Sequence, residues 1–337
     1  NYSQFASSAY YSYICIMITL ITEPKDYSEK ALAIYKSLGR VYFLSEIGEG
    51  KLKEVLSKVN ILVIRIATNV DKNFIDKMPH LEVIATSTTG LNHIDVDYAK
   101  SKKIKIISLC GRKSFLRNVP STAEETFALI LALVRNIPWA FDDIKLRNWK
   151  GNNWRGHQLM DKTIGLLGFG RLGRIVARYA KAFGMKIASC DPNVSKEFMR
   201  SRGVEKVSTE NLFKKSDIVS LHVLLTDKTQ NLVKEKYLKM MKPSAYLINT
   251  ARAELIEKGV LEKALKNKWI AGAGIDVMWN EKGDGSHLKN NPLLEYAKKN
   301  KNLIILPHIG GATFEAMEAT QDYIAELVRK EIKELHY

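Results

Sequence analysis

The sequence of 337 residues predicts an α/β protein with two similar doubly wound parallel sheets, one domain being inserted in the other. Three observations lead to this fold class. Short apolar runs rich in β-branched residues alternate with helical stretches, a glycine fingerprint lies near mid-chain, and a long helical pattern follows the last apolar run. Repeated β-α units of this kind place parallel strands in one sheet with helices on both faces.

The first set of β-α units starts at Met17. Its predicted strands lie at Ile18–Ile21, Arg40–Leu44, Ile61–Ile64, Leu81–Thr86 and Ile104–Ser108. Apolar residues at helical spacing predict intervening helices near Ser28–Leu38, Leu52–Val59 and Asp95–Lys102. Residues 1–16 are rich in Ser and Tyr and lack Lys and Arg, so they make a poor signal peptide. We expect 1–16 to be an extension ahead of a natural start at Met17.

A long helix is predicted over Pro120–Ile137. Ser121 is expected to cap it, Glu124 to complete a capping box, and Pro138 to follow its end. The second set of β-α units begins at Thr163, and its later strands are predicted at 186–190, 217–221, 245–249, 271–275 and 303–306. A terminal helix is predicted over Ala312–Leu335.

The glycine fingerprint consists of Gly168, Gly170 and Gly173, in the form G-x-G-x-x-G. An apolar run precedes it and the helical pattern Arg171–Phe183 follows, which is the strand–turn–helix context of a dinucleotide site. Gly168 permits a tight turn, Gly170 lets the backbone approach a pyrophosphate, and Gly173 lets the helix pack on the strand. The exposed N–H groups at the helix N-terminus then face the phosphates. The sequence therefore predicts a Rossmann-like cofactor domain.

Asp191 indicates which dinucleotide is bound. It follows the next apolar run, Lys186–Cys190, at the spacing of a ribose-binding acid. A carboxylate there accepts hydrogen bonds from both ribose hydroxyls but repels a 2′-phosphate. Pro192 and Asn193 come next, and no arginine stands beside Asp191 to bind that phosphate. The predicted cofactor is NAD.

Composition narrows the function classes. The formal net charge is +16, but the lysines are scattered and form no basic stripe with interleaved aromatics, so no nucleic-acid partner is expected. The three cysteines lack metal-site spacing, so neither a metal nor a disulfide framework is expected, and a reducing, cytoplasmic compartment is favoured. No apolar run approaches membrane-spanning length, and no membrane partner is expected.

Three side chains follow predicted strands of the second set and could carry chemistry. Arg252 offers paired donors to the carboxylate and carbonyl of a 2-oxo acid. His308 could move a proton near neutral pH, and Glu281 could orient and charge the imidazole. Each also has an ordinary alternative: a histidine after a strand is often a structural hydrogen-bonding group, and a loop Arg or Glu is often solvated. From pattern alone these alternatives stay open.

Several blocks in the right order resemble the D-isomer-specific 2-hydroxyacid dehydrogenases, a family that includes D-3-phosphoglycerate dehydrogenase, D-lactate dehydrogenase and glyoxylate/hydroxypyruvate reductase. Besides the fingerprint, the blocks are Thr-Thr-Gly-Leu-Asn-His-Ile-Asp (88–95), Thr-Ala-Glu-Glu-Thr-Phe-Ala-Leu (122–129), Ile-Asn-Thr-Ala-Arg (248–252), Gly-Ile-Asp-Val (274–277) and Pro-His-Ile-Gly-Gly (307–311). The resemblance covers nearly everything from Met17 onward. It implies NAD-dependent interconversion of a small D-2-hydroxy acid and its 2-oxo acid.

The resemblance also implies site roles. His308 would be the acid/base, Glu281 its partner and Arg252 the substrate anchor, while Thr89 and Gly90 would hold the substrate carboxylate. The implied cofactor-binding residues are Gly168, Gly170, Arg171, Leu172, Gly173, Asp191, Val223, Thr250, Ala251, Arg252, Asp276 and His308. Leu224 stands where the family has a proline, which weakens the assignment of Val223, and Ala253 stands where glycine commonly follows the arginine.

The resemblance further implies the domain order. A flavodoxin-like substrate-binding domain would comprise 17–119 and a returning C-terminal helix in 309–337, around an NAD-binding domain over 120–308. The helix from Pro120 would help form a homodimer, or would be an ordinary core helix. The polar stretch Lys282–Asn291 is expected to be a surface loop. An alternative is that the chain is a non-catalytic NADH-sensing binding protein, since proteins of the corepressor type share this fold.

Overall fold

The computed structural model describes residues 17–336, which divide into two compact units. Unit 1 comprises 17–116 and 313–336, and unit 2 comprises Arg117–Ala312. Unit 2 therefore interrupts unit 1 in the chain. The expected extension, 1–16, lies outside the described residues.

Unit 1 contains a five-stranded parallel sheet. Its strands are β1 (Met17–Ile21), β2 (Gly39–Phe43), β3 (Ile61–Ile64), β4 (Val83–Thr86) and β5 (Lys105–Ile107). The helices between and after them are α1 (Glu29–Leu38), α2 (Glu49–Leu56), α3 (Lys72–Ile75), α4 (Val96–Ser101) and α5 (Lys113–Leu116). The strand order β2-β1-β3-β4-β5 is the flavodoxin-like order. Leu62, Ile64 and Ile84 are buried in its core.

Unit 2 contains a seven-stranded parallel sheet. Its strands are β6 (Thr163–Leu167), β7 (Lys186–Cys190), β8 (Glu205–Lys206), β9 (Ile218–Leu221), β10 (Tyr246–Asn249), β11 (Gly272–Ile275) and β12 (Leu303–Ile305). Its helices are α6 (Ser121–Val134), α7 (Ile137–Lys145), α8 (Arg171–Ala182), α9 (Lys196–Arg200), α10 (Thr209–Lys215), α11 (Glu235–Met240), α12 (Val260–Lys266) and α13 (Pro292–Lys299). The order β12-β11-β10-β9-β6-β7-β8 reverses between β6 and β9, as in Rossmann-like sheets. The predicted fold class is confirmed.

Helices cover both faces of the unit 2 sheet. Successive strand residues point to opposite faces, and the buried residues accordingly fall into two clusters. Val219 and Leu221 of β9 pack with α10 and α12 residues such as Phe213. Ile218 of the same strand packs with α6 and α8 residues such as Ile130. Parallel strands buried on both faces are expected to be nearly continuous apolar runs, which is why they could be found from sequence.

The helix predicted over Pro120–Ile137 ends three residues early, and a second helix that was not predicted follows it. α6 ends at Val134, Asn136 adopts the left-handed conformation (φ 55°), and α7 starts at Ile137 with Pro138 in its first turn. The expected capping box is wrong, because Pro120 is the N-cap and no side chain caps the helix. Pro138 begins a helix rather than following one, since a proline needs no hydrogen-bond partner for its nitrogen in a first turn.

A C-terminal helix, α14 (Phe314–His336), packs on unit 1. The backbone N–H of Ser28 donates to Gln321 Oε1 at 2.7 Å. Lys105 Nζ pairs with Glu331 Oε1 at 3.1 Å, and His336 Nε2 lies 2.8 Å from Glu82 Oε2. The chain thus returns to unit 1 after completing unit 2.

Asp217 joins three segments at the N-terminal edge of the unit 2 sheet. Its Oδ2 accepts the backbone N–H of Thr163 at 2.8 Å, and its Oδ1 accepts Lys242 Nζ at 2.8 Å. Burial raises the pKa of Asp217, but these two hydrogen bonds and the lysine charges outweigh it and hold the pKa below its ordinary value. Folding therefore gains stability from the ionised carboxylate.

We predict that Asp217→Asn destabilises the protein at pH 7 by about 1–2 kcal/mol, because a charge-assisted hydrogen bond is lost. The deficit should shrink as the pH falls through the pKa of Asp217, where the wild-type carboxylate becomes protonated too. Thermal unfolding between pH 7 and pH 3 measures this, with exposed Asp227→Asn as the matched control. Equal deficits across that pH range would contradict the role assigned to the charge.

Candidate active site

The glycine turn follows β6 and requires glycine for steric reasons. Gly168 has φ +95°, and a Cβ there would stand 2.6 Å from the carbonyl oxygen of His222. A Cβ on Gly173 would stand 2.4 Å from the carbonyl oxygen of Gly168. Contacts this short with backbone atoms exclude any side chain, so the turn and the first turn of α8 pack directly on each other and on the end of β9.

Gly170 has a different environment. It is the N-cap of α8, no side chain caps that helix, and nothing lies within 4 Å of the position a Cβ would take. The first N–H groups of α8 and the positive end of its dipole therefore face an open space, which suits an anion such as a pyrophosphate. Leu172, half-buried, packs against the α6–α8 side of the sheet.

Asp191 follows β7 and is tied to the glycine turn. Its Oδ2 accepts the backbone N–H of Phe169 at 2.8 Å, and its Oδ1 accepts that of Asn193 at 2.9 Å. The carboxylate is thus held beside the turn at a fixed orientation. The side chain of Arg171 instead donates from Nη1 to the carbonyl of Val119 at 2.6 Å. Open space at Gly170 with a fixed acid beside the turn fits NAD.

His222 supports this turn and was missed by sequence reasoning. Its Nε2 lies 2.9 Å from Ser220 Oγ, and burial of the ring lowers its pKa to about 4, so it is neutral at pH 7. Val223, the predicted neighbour of the cofactor, places its Cγ2 3.1 Å from the position a Cβ on Gly168 would take. Both residues follow β9, the strand next to β6, and that adjacency across the strand-order reversal could have indicated them.

Arg252 follows β10 in a loop fixed by Asn249. The Asn249 amide donates to the carbonyl of Arg252 at 2.9 Å and accepts the N–H of Ala251 at 3.1 Å. Burial lowers the pKa of Arg252, although nearby carboxylates including Glu281 oppose the shift, and a guanidinium stays charged. Thr250 Oγ1 lies 2.9 Å from Thr126 Oγ1, so this side chain is used to attach the loop to α6.

Glu281 and His308 are in direct contact. His308 Nδ1 lies 2.5 Å from Glu281 Oε2, and Glu281 Oε1 accepts the backbone N–H of Met278 at 2.6 Å. Burial raises the pKa of Glu281, but the hydrogen bond with His308 and its charge outweigh burial and lower the pKa overall. The carboxylate is therefore ionised at neutral pH and holds the ring through Nδ1. The side chain of His308 is 23% exposed, so it remains accessible to a ligand.

His308 sits in a strained turn held by Asp276. It has φ +57°, an uncommon conformation for a residue other than glycine, and one that often marks functional turns. Asp276 is 1% exposed, and its oxygens accept the N–H groups of Ile309 at 2.7 Å and of Gly310 at 2.9 Å. Thr122 Oγ1 donates to the carbonyl of Gly310 at 3.0 Å. Asp276 thus carries the turn that presents His308.

Thr89 and Gly90 lie in unit 1, in the loop after β4. Thr88 Oγ1 donates to the carbonyl of Gly90 at 2.8 Å and fixes the loop, and Thr89 is exposed. Arg112 and Lys113, near α5, are exposed as well.

In unit 2, residues 282–291 form an exposed stretch with a short 3₁₀ turn at Ser286–Leu288, as expected of a surface loop. Ala253 is buried at the start of another 3₁₀ turn, Ala253–Leu255.

Between 17 and 336, no three or more His, Cys, Asp or Glu side chains are grouped in a way that could hold a metal ion. None of the helices described has both the length and the apolar composition to cross a membrane. The cysteines in the described part of the chain, Cys110 and Cys190, are free thiols.

Comparison with known proteins identifies the family. Residues 127–310 match the model of the NAD-binding domain of the D-isomer specific 2-hydroxyacid dehydrogenases. The chain is 36% identical to D-3-phosphoglycerate dehydrogenase of Methanocaldococcus jannaschii over 93% of its length, spanning 57% of that protein. It is 39% identical to glyoxylate reductase of Thermococcus litoralis, over 84% of this chain and 82% of the relative.

A solved structure with the same fold is D-lactate dehydrogenase from Aquifex aeolicus, complexed with NAD and lactic acid. The TM-score is 0.80 at 28% identity, covering 94% of this chain and 95% of the other. The chain belongs to the D-isomer specific 2-hydroxyacid dehydrogenase family. Its cofactor is NAD, and the family's activity is NAD-dependent oxidation and reduction of D-2-hydroxy acids and 2-oxo acids.

We predict that two alanine substitutions in the glycine turn affect different properties, one NADH binding and the other stability. Gly170→Ala meets open space and should leave thermal stability near wild type while weakening NADH binding about tenfold or more, because the methyl group occupies the ligand's approach. Gly173→Ala should lower thermal stability by about 2 kcal/mol or more, because its Cβ meets a backbone carbonyl.

Differential scanning calorimetry and NADH fluorescence titration separate the two effects. Gly151→Ala, which lies outside the turn, meets open space and has no positive φ, controls for loss of a glycine. Full NADH affinity in Gly170→Ala would contradict the placement of the pyrophosphate.

Proposed function

We propose that this protein interconverts a small D-2-hydroxy acid and its 2-oxo acid with NAD, and that His308 is the acid/base. The observation that carries the proposal is the 2.5 Å contact of His308 Nδ1 with Glu281, at the carboxyl ends of the adjacent strands β11 and β12. Functional groups in open α/β sheets collect at these ends. Arg252 follows the neighbouring strand β10 and supplies a positive charge for binding the acidic substrate.

NAD, when bound, supplies or accepts the hydride. The chain's own residues bind and orient it. Gly168, Gly170 and Gly173 leave room for the pyrophosphate at the N-terminus of α8, and Asp191 receives the ribose hydroxyls. Arg171, Leu172, Val223, Thr250, Ala251 and Asp276 complete the proposed cofactor-binding set, with Arg252 and His308 bordering it.

The proton is moved by His308 Nε2. Glu281 bonds Nδ1 of the ring, which leaves Nε2 for the substrate oxygen. Because the pKa of Glu281 is lowered, its negative charge persists at neutral pH and stabilises the imidazolium. In reduction, Nε2–H donates its proton to the oxygen that becomes the hydroxyl. In oxidation, neutral Nε2 accepts the hydroxyl proton.

Arg252 binds the substrate in this proposal. Its guanidinium can donate to both the carboxylate and the carbonyl oxygen of a 2-oxo acid, and donation to the carbonyl increases as negative charge develops there. Thr89 and Gly90, on the loop after β4, are proposed to bind the substrate carboxylate through backbone N–H groups. Exposed Arg112, Lys113 and Arg117 would bind a phosphate or second carboxylate on the substrate, or would be solvated.

The relatives' names indicate a substrate class rather than one compound. Those names refer to phosphoglycerate, glyoxylate and lactate, all small acids of the 2-hydroxy or 2-oxo class or their close derivatives. A panel of glyoxylate, pyruvate, hydroxypyruvate and 3-phosphohydroxypyruvate, each with NADH and with NADPH, tests the class and the cofactor together. Preference for NADPH would contradict the role of Asp191.

We predict that His308→Gln lowers kcat for the best panel substrate about 10²–10⁴-fold while NADH affinity changes little, because the proton donor alone is removed. Glu281→Gln should lower kcat about 10–100-fold, because the imidazole loses the carboxylate that orients it and balances its charge during proton transfer. Steady-state kinetics between pH 5 and pH 9 measure both.

Exposed Glu295→Gln on α13 is the matched control. No turnover by wild type with any member of the panel, and identical behaviour of His308→Gln, would overturn the enzymatic proposal. NADH binding without turnover, together with NADH-dependent capture of a protein partner, would favour the binding-protein alternative. DNA retention that is sensitive to salt but not to NADH would indicate a nucleic-acid role instead.

We also propose that the protein is a homodimer, with α7 contributing to the interface. α6, the helix first expected in that role, buries Phe127, Ile130 and Leu133 within unit 2. α7 instead exposes Ile137 (53%), Phe141 (62%) and Ile144 (45%), which lie on one helix face by their i, i+4, i+7 spacing. Trp149, just beyond α7, is 89% exposed. Apolar residues exposed together in this way support association with a second copy.

We predict that the double substitution Phe141→Asp, Ile144→Asp yields a monomer of 38 kDa, because two charges would be buried at the interface. Analytical ultracentrifugation measures the mass, and circular dichroism checks that the variant is folded. Exposed Asp142→Asn on the same helix is the control. A monomeric wild-type protein at micromolar concentration would contradict the homodimer.

A further inference from the structure

Glu125 presents a buried carboxyl group that the proposed mechanism does not use. It lies in the first turns of α6, and both of its carboxyl oxygens are buried without finding a donor among the described residues. Its Oε2 lies 2.6 Å from the position a Cβ on Gly310 would take, and Asp276 Oδ2 lies 3.2 Å from that same point. Two carboxyl groups therefore converge on the backbone of Gly310, in the turn that presents His308.

Two ionised carboxylates this close in a buried position would repel, and burial would raise the cost. Asp276 is the member of the pair that is solvated by the protein, because both of its oxygens accept backbone N–H groups from the turn. Glu125 has no such donors. A single proton on Glu125 removes this repulsion, since a protonated carboxyl is neutral and can donate a hydrogen bond to its ionised neighbour.

We propose that Glu125 is a positioning residue: it keeps a proton, donates it in a hydrogen bond to Asp276, and so fixes the turn 308–310 and the orientation of His308. The functional part of this proposal rests on the acid/base role proposed above for His308. Thr122, one turn earlier on α6, holds the same turn through the carbonyl of Gly310. One face of α6 thus fixes the catalytic turn at two points.

The surroundings favour the proton on Glu125. Burial, then the charge of Asp276 and the hydrogen bond with it, raise the pKa of Glu125 to about 8. The other charged groups facing the pair are His308 and Arg252, with Glu281 beyond them. Burial also raises the pKa of Asp276, but the N–H groups of Ile309 and Gly310, then His308 and Glu125, oppose that shift and favour its ionised form. Glu124, the neighbour of Glu125 in sequence, is exposed.

The pH dependence follows with a definite sign. The folded chain keeps the Glu125 proton up to about pH 8, whereas an unfolded chain releases it near the ordinary value of 4.5. Stability contributed by this group therefore falls as the pH rises between those values. Above about pH 8 the pair becomes doubly charged and should release the turn.

The test compares three variants of the full chain. Glu125→Gln supplies a permanent donor, Glu125→Met fills a similar volume without one, and Glu124→Gln is the exposed control. Hydrogen exchange of the peptide 306–312, corrected for the intrinsic effect of pH, reports how firmly the turn is held. Wild type and Glu124→Gln should lose protection about tenfold per pH unit above about pH 8. Glu125→Gln should show no such loss, and Glu125→Met should be poorly protected at every pH.

Oxidation of the hydroxy acid supplies the functional readout. Deprotonation of His308 favours oxidation, so a fall in kcat above about pH 8 in wild type, absent in Glu125→Gln, would point to the pair and not to His308. Glu125→Met should lose about tenfold or more in kcat with a smaller change in KM, because Arg252 is untouched.

The outcomes distinguish the two proposals. An alkaline loss of protection in Glu125→Gln equal to that of wild type would overturn the shared proton. Wild-type protection in Glu125→Met would overturn the positioning role. If no panel substrate is turned over, the acid/base role of His308 fails, but the exchange measurements still decide whether Glu125 holds the turn.

Discussion

The site depends on one buried carboxylate. Asp276 follows β11 and accepts two backbone N–H groups from the turn after β12, so it joins the ends of two neighbouring strands. A buried negative charge is costly unless such donors solvate it. Here the donors to Asp276 are the backbone N–H groups of Ile309 and Gly310, the two residues just after His308. The left-handed conformation of His308 and the hydrogen bonds that stabilise the charge of Asp276 therefore depend on the same turn. The parallel pairing Ile275↔Ile305 sets the register that makes this contact possible.

Much of the cofactor site was predictable because its constraints are local. Gly168 and Gly173 are required by backbone contacts that a glycine motif records directly, and Asp191 follows a strand at a spacing that the β-α unit dictates. Arg252, Glu281 and His308 could be grouped in advance because parallel strands bring their carboxyl ends to one edge. The contact of Glu281 with His308 follows from that rule and from nothing local, since 27 residues separate them.

The features that were not predicted from the sequence depend on three-dimensional packing or on competing local preferences. Glu125 lies far in sequence from Asp276 and Gly310, and an acidic residue in a helix carries no mark of being buried. Ser121 matched a capping pattern, but Pro120 is the N-cap, so the pattern was one residue out of place. Pro138 was interpreted as a helix stop although a proline is equally suited to a first turn, and α7 was therefore missed. His222 packs against the glycine turn only because β6 and β9 are neighbours in the sheet, which the sequence around it does not reveal.

The interrupted order of unit 1 has a consequence for synthesis. Ser28 near its start and Gln321 on α14 are 293 residues apart, and the helix buries Ile324 and Val328. A ribosome adding about 5–20 residues per second needs on the order of 10–40 s to make the intervening unit 2. For that time the nascent unit 1 has its strands but not the helix that covers them. Unit 2 has all its elements first, so the apolar surface that α14 covers stays open on the nascent chain until the helix is made.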